Sequence, residues 1–296
     1  MNTQIVIVTP TYNRPENLNK LFATLLEQTR KDFLWMIIDD GSRASYASVV
    51  ETIKANADFK VDYYKKENGG KSSAVNYAFD RLGEEGFALI IDDDEYLYPN
   101  AIEKVIPYVA EYDNTNVGLI NFNRADMNGK AIASPVFEND FVMSIQEHAS
   151  HKYHTDGYVG YFLKKLGKTR FPIFNGEKYI GPSVLMMLAS EEFDLLWAHE
   201  ILGYTDYLVG GLTETGKPLR MKSPLGMAAR AILMQSQESG LKNRFKLAVG
   251  YYAYLFIAQK KQLSLETKRV YKIFLPVFSK PLGWILYRYW KNKYKF

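Results

Sequence analysis

The sequence predicts an α/β fold, a mostly parallel sheet flanked by helices, with a helical extension at the C-terminus. Over the first 125 residues, β-type apolar runs alternate with helical patterns, as in sheets whose parallel strands are joined by helices. From Pro224 onward the patterns are helical only. A chain of 296 residues with 47% hydrophobic side chains buries a large core, so one large domain with an appendage is expected.

The elements follow in order. "QIVIVTP" reads as the first strand, and Pro15 with Glu16 opens the helix "PENLNKLFATLLEQT". "LWMIIDD" is the second strand and "SYASVVETIKAN" its helix; "VDYYKK" and "SAVNYAFDRL" form the next pair. "FALIIDDD" and "VGLINFN" complete the strand series, with Pro99 suiting another helix start. Residues 126–222 are irregular, rich in Gly, Pro and His, and read as the second half of the same domain, built from loops. The expected divisions are 1–125 and 126–223 within one domain, then 224–296 as a helical, basic and aromatic region.

Composition narrows the function. The chain has no cysteine, which excludes disulfides, thiolate metal sites and cysteine nucleophiles and fits a reducing compartment. The start "MNTQIVIVTPTYNRP" lacks the basic opening and cleavage site of a signal peptide, so an intracellular protein is expected. The net charge is +4, yet residues 267–296 hold eight Lys or Arg and no acid, leaving −4 for the rest. A body of that sign does not suit nucleic acid, and a membrane surface is the better partner for the tail. No uncharged run reaches the ~18 to 20 residues of a bilayer span.

Ligands of open α/β sheets gather at the carboxyl ends of the strands, and four motifs fall on that edge. "VTPTYNRPENL" offers Thr9, Thr11, Asn13 and Arg14 beside a helix N-terminus, suiting a phosphate or nucleotide; an ordinary turn capped by Asn13 is the alternative. "IIDDGS" carries Asp40, an acceptor for a base or ribose, or simply a turn. "ENGGKSSAVNYAF" joins a Gly-rich turn to a helix bearing Lys71 and Asn76, without Walker spacing. "IIDDDEYLYP" runs a buried strand into Asp92, Asp93, Asp94 and Glu95. Four adjacent carboxylates repel one another unless something positive sits among them, and hard cations such as Mg2+ or Mn2+ take carboxylate oxygens.

In order and spacing, "TPTYNRP", "DDGS", "NGGKSSAVN" and "DDDEYLYP" resemble the inverting family 2 glycosyltransferases of the Rossmann-like GT-A fold, the group that builds capsular and cell-wall polysaccharides. The resemblance covers residues 4 to about 125, and more loosely "FPIFNGEKYIGPS" and "YLVGGLT" to about 225. It implies a nucleotide-diphosphate sugar as donor, a UDP-sugar being favoured. The nucleotide would meet Pro10, Thr11, Tyr12, Asn13, Arg14, Asp40, Lys71, Asp92 and Asp93. Asp92 and Asp94 fall on the family's D-x-D positions, where they would bind Mn2+ or Mg2+ and the sugar-diphosphate.

Inversion needs a general base for the acceptor hydroxyl. Where the family often places an acid pair, this chain has Gly181, Pro182 and Ser183, so Glu177 and Asp156 become the candidate bases. "YLVGGLTETGKPLRMKS" resembles a lid that closes on the diphosphate through Arg220 and Lys222, although Gly210 stands where an acid is frequent. His148, His151 and His154 lack the zincin arrangement and read as a polar loop or acceptor contact. Trp284, Tyr287, Tyr289 and Trp290 mix with Lys280, Arg288, Lys291, Lys293 and Lys295, which suits an anionic membrane surface; a helical core or a homo-oligomer contact is the alternative.

The expected function is metal-dependent, inverting sugar transfer to a growing, lipid-linked bacterial surface or capsular glycan. The expected location is cytoplasmic, peripheral on the inner face of the cell membrane. The rival is a non-catalytic nucleotide-binding scaffold subunit of a membrane glycan-assembly complex. A sugar-nucleotide pyrophosphorylase is disfavoured, because "TPTYNRPEN" lacks a Gly-rich, Arg- and Lys-bearing loop.

Overall fold

The computed structural model describes residues 3–133, 138–143, 157–205, 220–237, 240–267 and 269–295. The chain forms two compact units. The first comprises Met1–Met143, Tyr153–Lys168 and Phe193–Leu208; the second comprises Ser144–Lys152, Thr169–Glu192 and Val209–Phe296. This division differs from the boundary at residue 223 drawn from the sequence.

The first unit contains one sheet of nine strands: β1 (Ile5–Thr11), β2 (Phe33–Asp39), β3 (Lys60–Lys65), β4 (Phe87–Ile90), β5 (Glu95–Leu97), β6 (Val117–Ala125), β7 (Phe141–Met143), β8 (Gly157–Phe162) and β9 (Asp194–Thr205). Their order is β3-β2-β1-β4-β8-β6-β9-β5, with β7 also on β9. The pairs β1/β2, β1/β4, β2/β3 and β6/β9 are parallel; β8 is antiparallel to β4 and β6, and β5 and β7 are antiparallel to β9. Six of the nine strands therefore run one way, the mostly parallel α/β sheet that the sequence predicts.

Helices α1 (Pro15–Leu26), α2 (Ala47–Asn56), α3 (Lys71–Leu82), α4 (Ala101–Tyr112) and the short α5 (Leu163–Leu166) belong to this unit. In α1 the residues Leu18, Leu21, Phe22 and Leu25 recur at helical spacing and are all buried, so one face of the helix is core. Every residue of β1 and β2 is buried, which is why both read as continuous apolar runs. Trp35 of β2 stacks on Phe22 at 6.1 Å, and its indole N–H donates to Thr9 Oγ1 at 3.0 Å, so the largest core side chain leaves no polar atom unpaired.

Two strands that matter to the site escape a sequence reading. The acid-rich run does not continue β4: the strand ends at Ile90, and Glu95–Leu97 forms a separate β5 against Gly203–Thr205 of β9. β8 occupies the centre of the sheet although it reads "GYVGYF". A Cβ on Gly160 would lie 2.0 Å from Phe87 Cζ, so only glycine lets the Phe87 ring cross the strand at this point.

The second unit is helical: α6 (Ser183–Ala189), α7 (Pro224–Gln237), α8 (Leu241–Ile257) and α9 (Pro276–Tyr294). Helix α8 packs against both α7 and α9, and α6 packs on α7. The latter contact groups residues 169–192 with the C-terminal helices. Among the described residues, no helix is long and apolar enough to cross a membrane.

Candidate active site

The carboxyl ends of β1, β2 and β4 bring the four motifs to one edge of the first unit's sheet. Pro10 and Thr11 end β1, and the chain turns through Asn13 at φ 54°, a left-handed conformation that Asn tolerates. Asn13 does not cap α1. Its backbone N–H donates to Ser42 Oγ at 2.7 Å, and its Oδ1 accepts from the Arg43 amide at 2.8 Å, tying the first motif to the second. Tyr12 is 44% exposed, an aromatic face open to solvent beside this turn.

The four acids separate, and three different cations meet them. Glu95 turns inward to a buried ion pair with Arg124 of β6 and accepts the Asp92 amide at 2.8 Å. Asp92 Oδ2 meets Lys71 Nζ at 2.5 Å, so the first residue of α3 reaches across to the end of β4. Asp94 Oδ2 meets Arg14 at 3.3 Å, and Asp93 lies 3.6 Å from the same guanidinium. Asp93 is buried and accepts from Thr11 Oγ1 at 2.6 Å, while Tyr46 O–H closes on Thr11 at 2.9 Å and accepts the Arg14 amide at 2.8 Å.

This arrangement perturbs the acids. Burial pushes the Asp93 carboxyl up to about 6, the Thr11 hydrogen bond opposes it, and the Asp94 charge adds to it. Asp94 is also raised, by burial and then by Asp92, with Arg14 and Lys71 opposing. A site that holds its own carboxylates above their ordinary range gains from any further positive charge.

Asp40 serves the loop that carries Lys71. Its Oδ1 accepts from Lys66 Nζ at 2.8 Å and the Gly69 amide at 3.0 Å; its Oδ2 accepts from the Gly70 amide at 2.7 Å and Asn68 Nδ2 at 3.0 Å. With both oxygens engaged, Asp40 shapes the turn ahead of α3. Gly41 permits the approach: at φ 76°, a Cβ there would lie 2.6 Å from the Asn68 amide nitrogen. Lys66, Ser42 and Tyr46 were not singled out from sequence. Lys66 ends "VDYYKK" on the same sheet edge, which is the signal that marks it; Tyr46 offers none.

In the second unit, Glu177 Oε1 accepts from the Leu225 amide at 2.7 Å and Oε2 from the Gly226 amide at 2.8 Å, so its carboxylate caps the start of α7. Burial raises its pKa and those two amides oppose the rise. Each carboxylate oxygen of Glu177 thus already accepts one backbone hydrogen bond. Arg220 and Lys222 are exposed just before α7. Asp156, Gly210, His148, His151 and His154 lie outside the described residues.

Among the described residues, no three His, Cys, Asp or Glu side chains gather as a metal-ligand set. The donors fit a cation held partly by others, as Mg2+ sites that add phosphates and waters to one or two carboxylates are. Asp92 Oδ1 is buried with no hydrogen-bond partner, an orphaned carboxylate oxygen of the kind a cation satisfies.

A mixed, mostly parallel sheet flanked by helices, with Arg14, Lys71 and three aspartates at its carboxyl edge, is an α/β architecture of the GT-A type. The model of the glycosyl transferase family 2 matches residues 6–163, more than half of the chain, and the chain belongs to that family. It is 34% identical over 113 residues to an uncharacterized glycosyltransferase of Rickettsia typhi, a stretch covering 38% of this chain and 34% of that protein. It is 25% identical over 139 residues to the poly(ribitol-phosphate) beta-N-acetylglucosaminyltransferase TarP of Staphylococcus aureus, covering 46% and 41% of the two chains. The chain thus spans well under half of these curated relatives. Among solved structures, S. aureus TarS 1–349 in complex with UDP-GlcNAc superposes with a TM-score of 0.63 at 17% identity, over 86% of this chain and 72% of that one. The mannosyltransferase PcManGT from Pyrobaculum calidifontis, in complex with GDP-Man and Mn2+, gives 0.58 at 13% identity, over 99% and 84%. Both likenesses are of fold.

Proposed function

We propose that this glycosyltransferase uses a nucleotide-diphosphate sugar, with UDP as the favoured nucleotide, and inverts the anomeric centre during transfer to a lipid-linked bacterial surface or capsular glycan. The observation that carries the donor reading is the Arg14, Lys71, Asp92, Asp94 cluster with its unpartnered Asp92 Oδ1, inside the family-matched region. Pro10 to Arg14 would line the nucleoside, with the exposed Tyr12 ring available to stack on the base. Asp40 holds the 66–70 turn so that Lys71 faces the diphosphate, and Lys71 and Arg14 exchange their carboxylate partners for phosphate oxygens when donor enters. Mn2+ or Mg2+ at Asp92 and Asp94 would neutralise charge on the departing diphosphate. Arg220 and Lys222 are proposed as further phosphate-binding residues.

Of the two candidate bases, Asp156 is the one we retain, since the Glu177 carboxylate is engaged by backbone amides. That same engagement favours the second reading, a nucleotide-binding scaffold without turnover. The C-terminal helices would hold the protein at the inner face of the cytoplasmic membrane, where a lipid-linked acceptor is found.

Calorimetric titration of UDP and GDP, with Mn2+ and with EDTA, tests the donor site. UDP binding at least tenfold tighter with Mn2+, lost in Asp94→Asn while the melting temperature is kept, is the expected result. Failure of either nucleotide to bind under both conditions overturns the reading. Turnover of a UDP-sugar by the intact protein, with kcat reduced about 10²- to 10⁴-fold in Asp156→Asn at unchanged UDP affinity, separates the enzyme from the scaffold.

A further inference from the structure

Helix α9 meets α8 through its smallest residues. Ser279 and Gly283 are its buried positions, and a Cβ on Gly283 would lie 2.6 Å from Tyr252 Cβ and 2.9 Å from the Val249 carbonyl oxygen. The two backbones therefore approach closely, and the bulky side chains of α9 are turned away. By the 3.6-residue period, Pro281 and Ile285 lie opposite Gly283, flanked by Val277, Phe278, Trp284 and Tyr289. Val277 is 78% exposed, Phe278 63%, Ile285 56% and Trp284 49%. At the N-terminal end this face opens into an apolar groove of about 510 Å³, formed by α9 and Phe245 of α8. A face of this extent on water is unfavourable and marks a docking surface.

A basic notch lies beside it. The chain leaves α8 through Gln259 at φ 55°, a left-handed residue that turns Lys260 and Lys261 toward Lys280 of α9. The three lysines, with Tyr252, Leu255 and Phe256, line a recess of about 90 Å³. Among the described residues, none of the three forms an ion pair with a carboxylate. Lys291 and Lys293 continue the positive charge along the flanks of α9.

We propose that the α8–α9 pair is an interfacial membrane-docking site, whose apolar face enters the headgroup boundary while Lys260, Lys261 and Lys280 bind the phosphate of an anionic phospholipid. Charge selects this occupant. A second copy would bring the same eight basic residues of 267–296, with no acid among them, against its own kind. An anionic bilayer offers both the apolar and the negative partner, and α9 is too polar to span it. Trp284 and Tyr289 suit the headgroup depth, where an aromatic ring keeps its polar end wet. The site rests on the membrane placement proposed above and not on the donor chemistry, so loss of vesicle binding would overturn it while leaving the nucleotide titration untouched.

Sedimentation of the full chain with vesicles of phosphatidylcholine, with and without about one-third phosphatidylglycerol, provides the test. Binding to the anionic vesicles only, weakened by salt, is expected. Ile285→Glu should abolish it. Combined Lys260→Gln, Lys261→Gln and Lys280→Gln should weaken it by about fivefold per lysine, with folding and UDP affinity unchanged. Equal binding to neutral vesicles, or full affinity in the lysine variant, overturns the phosphate site. A dimer in sedimentation equilibrium that Ile285→Glu dissolves, with no vesicle binding, assigns the face to a second copy and overturns the proposal.

Discussion

Asp140 is held from three directions in the first unit. The His199 amide donates to its Oδ1 at 2.8 Å, the His199 ring Nδ1–H at 2.6 Å, and the Tyr108 hydroxyl at 3.0 Å. Burial alone would push its carboxyl up, but these hydrogen bonds outweigh burial and leave it below the ordinary carboxylate range. A depressed folded pKa means that the folded state binds the proton less readily. The stability from Asp140 is therefore complete above about pH 4, its unfolded value, and is lost as pH falls through the lower folded value. Asp140→Asn is expected to lower the melting temperature at pH 7 by about 1–3 °C, and to flatten its fall below pH 4, in a thermal scan across pH. Residues at this scale were unevenly legible. Arg14, Lys71, Asp92 and Asp94 stand in motifs, and the structure brings them together. The partners of Asp40 and Glu177 include backbone amides far along the chain, Gly69 and Gly70 for the one, Leu225 and Gly226 for the other, and a pattern of side chains does not reveal which carboxylate will serve an amide.

Elements were legible where apolar character was continuous. β1, β2, α2 and α3 begin and end within two residues of their expected runs, and α1 begins where expected and ends three residues early; for the strands, burial on both sheet faces leaves an unbroken apolar signature. β8 was hidden by the glycines that let it sit between β4 and β6, and β5 by the acids at its start. Gly160 provides the check on that account. It pairs with Leu89 on one side and Ile120 on the other, under a Phe87 ring that packs edge-on to Phe162 at 4.9 Å. Gly160→Ala forces that ring aside, and a loss of about 1–3 kcal/mol is expected in urea unfolding, with the m-value unchanged. An unchanged midpoint would mean that the ring has room the packing does not show.

At the scale of the molecule, chemistry and charge are segregated. The aspartates of the candidate site and the family-matched residues other than 144–152 belong to the first unit, while the basic, aromatic sequence belongs to the second. Two ligands should therefore leave two separate footprints in hydrogen exchange. UDP with Mn2+ is expected to slow amides at Thr11 to Arg14, Gly69 to Lys71 and Asp92 to Asp94, leaving α8 and α9 unchanged. Protection by UDP confined to the C-terminal helices would contradict the assignment of the donor site. The ion pairs at the carboxyl edge of the sheet bear on the order of binding. Lys71 and Arg14 already occupy Asp92 and Asp94, so the protein holds stand-ins for both halves of its proposed ligand, cations against the acids and acids against the cations. A metal ion arriving alone must compete with two resident positive charges, and a nucleotide arriving alone must approach three aspartates. Each removes the obstacle to the other. On the proposed donor reading, the expected visitor is the preformed salt of the two, and the order of arrival becomes a property of the charges at rest.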